Sequence, residues 1–268
     1  SNVSNQGDVV FENLGNQINS SSFINTNNLL VRGTAGTSAD LTFATAFTNG
    51  GQISLDNTSA SVRNASLIVS SGVFTNNGSI FLVDSGGGGG VRNLTGDIAN
   101  TGGITAASDA NISGGIFNTI AGTVIVSPAV TLTVGSSTTQ LGMTTNLSGN
   151  MGTLDFSGTQ AVDITTAFSL TSAAPIIGTS GSIDFTGAGI FTIDSGVVLA
   201  LTGDTLSVDT VIDGILEFQN TGNQITSTTL TNTGSIILNG TAGTSVDLAI
   251  TNAFTNQGSI VLDNLFTS

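Results

Sequence analysis

Asp155, Asp184 and Glu217 hold the same place in three successive short phrases, Leu-Asp-Phe, Ile-Asp-Phe and Leu-Glu-Phe, each acid lying between two apolar residues. If the phrases stack in register, the three carboxylates stand about 5 Å apart on one face. Like charges that face each other directly across strands destabilise, so such a column implies a bound cation, a raised pKa or offset registers. Oxygen-only ligands suit calcium. A pair of carboxylates could also serve as the acid and base of a glycosidase. The plainest reading is three solvated acids. The rest of the chain offers catalysis little help: it has no His, Lys, Cys, Tyr or Trp, and its three arginines, Arg32, Arg63 and Arg92, all lie in the first third.

The elements that must position these acids show a recurrent pattern of Gly, any residue, apolar, any residue, apolar. Its apolar pairs are Val9 and Phe11, Ile53 and Leu55, Ile80 and Leu82, Ile104 and Ala106, Val124 and Val126, and Leu154 and Phe156. Ile183 and Phe185, Leu216 and Phe218, Ile236 and Leu238, and Ile260 and Leu262 continue it, and Leu29 and Val31 fit with Asn27 in place of Gly. A two-residue alternation predicts strands, and the Gly, Asn, Asp and Ser between them predict turns. Asn and Gly at a sharp corner tolerate left-handed backbone. The corner residues Asn49, Asn76, Asn232 and Asn256 could also stack their amides in a ladder, as repeated Asn does in parallel sheets.

A longer period contains the short one. Residues 7–57 align without a gap with 214–264, a shift of 207, and 27 of the 51 positions are identical. Measured from the Gly position, the short spacings are 20, 24, 27, 24, 20, 30, 29 and 33, which fill the 207 residues before 20 and 24 begin again. Strand-bearing units of this size, each too small to bury a core alone, are the signature of a solenoid. The expected fold is all-β: a single parallel β-helix over 1–268, of about ten coils of 20–33 residues. Parallel crossovers are nearly always right-handed. At about 4.8 Å per coil, ten coils make a rod of about 50 Å, and eight make a repeat of about 40 Å.

Composition narrows the function. Charged residues are only 7% and the net charge is -14, so a phosphate backbone is repelled and nucleic-acid binding is excluded. Without cysteine there is no disulfide or thiolate metal site, a usage that fits export through an oxidising compartment. The longest apolar runs, such as Val197–Leu201, are far shorter than a membrane span needs. The chain opens on SNVSNQG in mid-pattern, as a piece of a longer repetitive chain would.

Other features are read locally. The residue between each core pair points outward, and at Val10, Leu30, Phe81, Ile125, Ile237 and Val261 it is apolar. Such a stripe is either covered by the same chain or marks a contact between rods. Gly86–Gly90 reads as a protruding turn, since it lacks the Lys and helix of a phosphate loop. Threonine pairs such as those in TLT at 131–133 are too scattered for an ice-binding array. Sequons including Asn64 and Asn93 are expected by chance in so Asn- and Ser-rich a chain.

At this level of pattern the chain resembles a family. DIANTGGITAASDANISGGIFNTIAGTVIV at 97–126 looks like the haemagglutinin-type repeats of large bacterial exoproteins, and LTNTGSIIL at 230–238 is similar to autotransporter passenger repeats. The resemblance implies a secreted or surface-displayed stalk, adhesin or fibre, without catalysis or a required cofactor. Its expected partners are further repeats, other copies joined head-to-tail or laterally, and host or cell-surface glycans or proteins. A polysaccharide-acting β-helix enzyme is the alternative, and an ice-binding protein a more distant one.

Overall fold

The computed structural model describes residues 2–149, 151–240 and 245–264. Among these residues there are thirty strands and no helix. Every strand pairing is parallel, and the one antiparallel contact is an isolated bridge between Thr34 and Thr37. The chain is a β-solenoid. One column of pairings threads it almost from end to end: Val3, Phe23, Phe47, Phe74, Ile98, Phe117, Thr139, Val162, Phe185, Leu206, Ile225 and Ile250 each sit over the one before. That makes eleven coils, with 19 to 27 residues between successive partners.

Each coil has three faces. The first is built by the seven-stranded sheet that runs from Val9–Phe11 up to Asn146–Ser148. The second and third begin as separate short strands, Ala39–Phe43 and Phe47–Asn49, both of which pair with the single bent strand Ala65–Asn76 above them. Long strands bent in this way, through Thr153–Ile164 and Ile176–Thr186, carry both faces up the middle of the rod. Gly72 and Gly158 mark two of the bends with φ of 78° and 76°, a region that only glycine enters cheaply.

The core is a stack of alternate residues from all three faces. Leu29, Ile53, Leu55, Ile80, Leu82, Val124 and Val126 are fully buried, as the alternation predicts. Phenylalanines reinforce it: the rings of Phe43 and Phe47 stack at 4.2 Å and those of Phe47 and Phe74 at 4.9 Å, about one coil apart.

Corner chemistry differs in part from the expectation. The ladder is present: Asn5 Nδ2 donates to Asn25 Oδ1, Asn25 to Asn49, Asn49 to Asn76 and Asn76 to Asn100, at 2.7 to 2.8 Å. It ends on Thr119 Oγ1, and a second ladder joins Asn232 to Asn256. The corner glycines, however, are not there for left-handed backbone. Gly51, Gly78, Gly102, Gly234 and Gly258 are absent from the residues with positive φ. Each lies under steric constraint instead. A Cβ on Gly78 would stand 2.0 Å from the carbonyl oxygen of Gly51, and one on Gly102 would stand 2.0 Å from that of Gly78. Gly78→Ala is therefore expected to cost about 2–3 kcal/mol or more in urea unfolding, whereas Gly103→Ala, with nothing within 4 Å of its Cβ, should change stability by less than about 1 kcal/mol.

Gly86–Gly90 is likewise not a protruding turn. Gly86 and Gly88 lie on the backbone of Ser59, Gly90 on that of Arg63, and in each case an added Cβ would come within 2.4 Å of a carbonyl oxygen. The loop is pressed on the coil below.

The longest expected spacings are corrected as well. Val124 pairs not with Leu154 but with Leu147, while Leu154 belongs to the second face, where it pairs with Leu132 and Ile177. Ile183 and Phe185 lie on the third face and pair with Gln160 and Val162. The 207-residue repeat thus spans nine coils and one further face, not eight coils. Nine pairings carry the third column from Phe23 to Ile225, and Leu230, the copy of Phe23, lies on the next strand, Thr229–Asn232.

Candidate functional site

The rotation of the pattern from face to face separates the three acids. Asp155 pairs with Thr133 below and Gly178 above. Asp184 pairs with Ala161 and Thr205. Glu217 lies in a different sheet, between Ala200 and Ile237. The column of carboxylates is therefore not formed.

Each acid is satisfied locally by uncharged groups. Ser180 Oγ donates to Asp155 at 2.6 Å, and Ser207 Oγ donates to Asp184 at 2.7 Å. Glu217 accepts from Gln219 Nε2 at 2.8 Å and Asn239 Nδ2 at 2.9 Å. Gly178, the residue above Asp155, leaves room for the carboxylate, since a Cβ there would stand 2.9 Å from Asp155 Oδ1. Among the described residues no three of His, Cys, Asp or Glu are grouped to hold a metal ion. Calcium at millimolar concentration is accordingly expected to leave the melting temperature unchanged, and Asp184→Asn to cost less than about 1 kcal/mol. A rise in melting temperature with calcium that Asp184→Asn abolished would contradict this assignment.

Two of the three arginines pair with acids and the third braces a loop. Arg32 pairs with Glu12. Arg63 donates to the carbonyls of Thr34 and Ala35, tying down the small hairpin of the first GTAGTS; residues 241–244 of its second occurrence lie outside the described residues. Arg92 is fully buried. Its Nε donates to Val83 O, its Nη1 to Arg63 O at 3.3 Å, and its Nη2 approaches Asp84 Oδ1 at 3.2 Å. That last approach is an ion pair without hydrogen-bond geometry. Burial lowers the Arg92 pKa, while Asp84, Asp56 and Asp109 oppose the shift.

Sequence reading did not single out Asp204, which is also fully buried. It accepts the amides of Ile183 at 2.9 Å and Thr202 at 2.7 Å, and burial nevertheless raises its pKa. A raised folded pKa gives stability that is complete below the unfolded value and is lost as pH climbs through the folded one. Asp209 has the opposite sign, since the Thr228 hydroxyl and the Thr229 amide lower its pKa. With a net charge of -14 also repelling itself near neutrality, the melting temperature should peak at mildly acidic pH. Asp204→Asn should flatten the decline towards neutral pH, which a melting series from pH 3 to 8 would reveal.

The outward apolar residues are covered only in part: Leu30, Phe81 and Ile237 are half-buried, while Val10, Ile125 and Val261 are exposed. Val10, Leu30, Phe81 and Ile125 align on the first face with Ser54 and Thr105 between them and Ser148 beyond. Val10 is 47% and Ile125 38% exposed. Ile237 and Val261 lie elsewhere, on the sheet that carries Glu217. The stripe is thus two shorter strips. On the second face an outward polar ladder runs beside them, in which Asn111 donates to Asn93 and Asn93 to Ser66.

Taken together, an unbroken core, parallel ladders and locally satisfied polar groups define a β-solenoid repeat protein. Compared with known proteins, the chain matches no family model, no curated protein and no solved structure.

Proposed function

We propose that the chain is a non-catalytic structural or adhesive module, a stiff rod that is secreted or displayed at a cell surface in the manner of haemagglutinin-like and autotransporter-passenger repeats. The observation that carries this reading is the column from Val3 to Ile250, in which every coil hydrogen-bonds the next and buries one continuous apolar core. Such an object resists bending because no coil can tilt without breaking ladders on three faces at once. Its partners are other copies of itself, joined end to end, and surface glycans or proteins that touch its uncharged, hydroxyl-rich flanks. Solenoid ends expose unpaired strand edges, which gives association a physical motive.

Electron microscopy of concentrated protein, with solution scattering on dilute protein, tests the proposal. Rigid particles about 50 Å long, which lengthen into fibres with concentration and release no product from a panel of polysaccharides, are the expected result. Compact particles, or turnover of a polysaccharide that Asp155→Asn or Asp184→Asn removes, would overturn it.

A further inference from the structure

The ladders that climb the rod do not all run its full height. On the first face the seven-stranded sheet ends at Asn146–Ser148, and the next strand there, Phe168–Leu170, starts a new sheet of five strands. On the second face the break comes one coil higher. The second-face part of Ile176–Thr186 pairs with Thr153–Ile164 below it, but Val198–Thr202 starts a separate sheet of four strands. Between the coil of 168–186 and the coil of 190–206, two faces therefore carry the pairing among the described residues. Phe168–Leu170 lies under 191–193 on the first face, and Asp184 and Phe185 lie under Thr205 and Leu206 on the third. This joint is the exception in a rod otherwise tied on three faces.

The core loosens at the same level. Ala174 and Val197 keep 9% and Ile177 7% exposure, whereas Leu132, Val134 and Val162 in the coils beneath are sealed. At the open face a cleft of about 420 Å³ is lined by Met151, Ala174, Pro175, Ile176, Val197 and Val198. A small apolar void lies among Leu147, Phe168, Ile177 and Phe191. Atoms beside a void lack partners on one side, so tipping the upper coil away loses less contact here than where the core is sealed. No second-face ladder has to break.

What holds the joint is arranged about one corner. The two remaining ladders meet at the third-to-first corner, where the amides of Ser207 and Val208 both donate to Phe185 O, at 2.7 and 2.9 Å. The open face lies opposite. At one edge of it, the first-to-second corner, the Asp194 amide donates to Leu170 O at 3.1 Å. At the other edge, the second-to-third corner, the buried Asp204 carboxylate bridges the two coils. It accepts the Ile183 amide of the lower coil at 2.9 Å and the Thr202 amide of its own coil at 2.7 Å.

We propose that this joint is a hinge: the coils above it tip as one body about the Ser207 corner, the second face opens between Ile176 and Val198, and Asp204 is the latch that limits the opening. A solenoid passes load only from each coil to its neighbour, so its compliance is set where that interface is thinnest. The rod is accordingly two stiff bodies, the coils up to Thr186 and those from Ile190 onwards, joined by a compliant corner. Bending and unfolding both begin there, and the coils on either side stay paired while the joint gives.

The hinge belongs to the single chain, so it stands or falls independently of the contacts proposed above. Native-state hydrogen exchange tests it in the unmodified protein. The amides of Ile183 and Asp194, at the two edges of the open face, are expected to exchange about tenfold faster than those of Ser127 and Thr165. These two make coil-to-coil bonds of the same kind in the sealed part of the rod, to Ala106 O at 2.8 Å and Leu141 O at 2.9 Å. Equal protection would overturn the hinge. The chain has no cysteine, so spin labels can be placed by substitution. Labels on Ile176→Cys and Val198→Cys, both exposed positions, should give a broader distance distribution than labels on Val198→Cys and Ile215→Cys, which a ladder joins. Equal widths would likewise count against the proposal. Asp204→Ala should broaden the first distribution and leave the second unchanged, and no broadening would remove Asp204 as the latch. Were that variant unable to fold, exchange and labelling in the presence of Asp204 would still decide the hinge.

Discussion

Asn76→Ala will lower the stability of the rod by about 3 kcal/mol, through the loss of amide hydrogen bonds and the stranding of their partners. Asn76 is fully buried at the third-to-first corner. It accepts from Asn49 at 2.7 Å, donates to Asn100 at 2.7 Å and approaches Gly103 O at 3.3 Å. Alanine leaves the Asn49 amide with longer contacts to Gly51 O and Ser79 O, at 3.2 and 3.4 Å, and leaves Asn100 Oδ1 without its donor. Asn76→Asp should be worse at neutral pH, because a carboxylate would face the oxygen of Asn100 instead of donating to it, and acidification should restore part of the loss. Asn77→Ala, one residue on and exposed, is the control and should change little. Urea unfolding of the three variants checks the order, and equal losses at positions 76 and 77 would refute the ladder as a source of stability.

Arg92→Ala is expected to cost about 3–5 kcal/mol, the range found when one partner of a buried pair is removed. The guanidinium spans two coils: it holds Val83 O and Arg63 O, and it faces Asp84 beneath the glycine-rich loop whose Gly89 amide donates to the same carboxylate at 2.7 Å. Arg92→Lys will rescue little, since an ammonium lacks the fork that reaches separate acceptors. Arg92→Met combined with Asp84→Asn removes the charges together while filling most of the volume, and should recover a substantial part of the loss. Thermal unfolding of the single and double variants would measure the coupling. Additive losses would show that the pair is not a unit.

The sequence made the strands, the solenoid, the duplication and the amide ladder legible, because each follows from a local rule of spacing. What it concealed was the face. All three faces alternate with the same period of two, so nothing in Leu154-Asp155-Phe156 distinguishes a second-face strand from the first-face strand Val124-Ile125-Val126. The true successor, Asn146-Leu147-Ser148, carries a single apolar residue and no glycine two places earlier. The pattern thus leads onto another face, and three acids that share a phrase do not share a column. The role of the corner glycines is hidden for a related reason. Their frequency at corners is visible, but the carbonyl oxygen of the coil below, which excludes a Cβ from Gly78, belongs to a residue 27 places away. Asp204 left no signal at all, since its burial depends on the amides of Ile183 and Thr202 folding around it.

The extra face in the 207-residue repeat also bears on what a chain of such units can evolve to recognise. A ligand that needs one long flat surface, such as an ice plane or an extended crystalline polymer, would find its matching residues turned aside after nine coils. Lengthening by duplication would then add protein without adding to that surface. Properties held by the core, the corners or the ends carry no such directional demand and are inherited whole with each new unit. Growth by this repeat therefore favours reach and stiffness over the enlargement of any single recognition face.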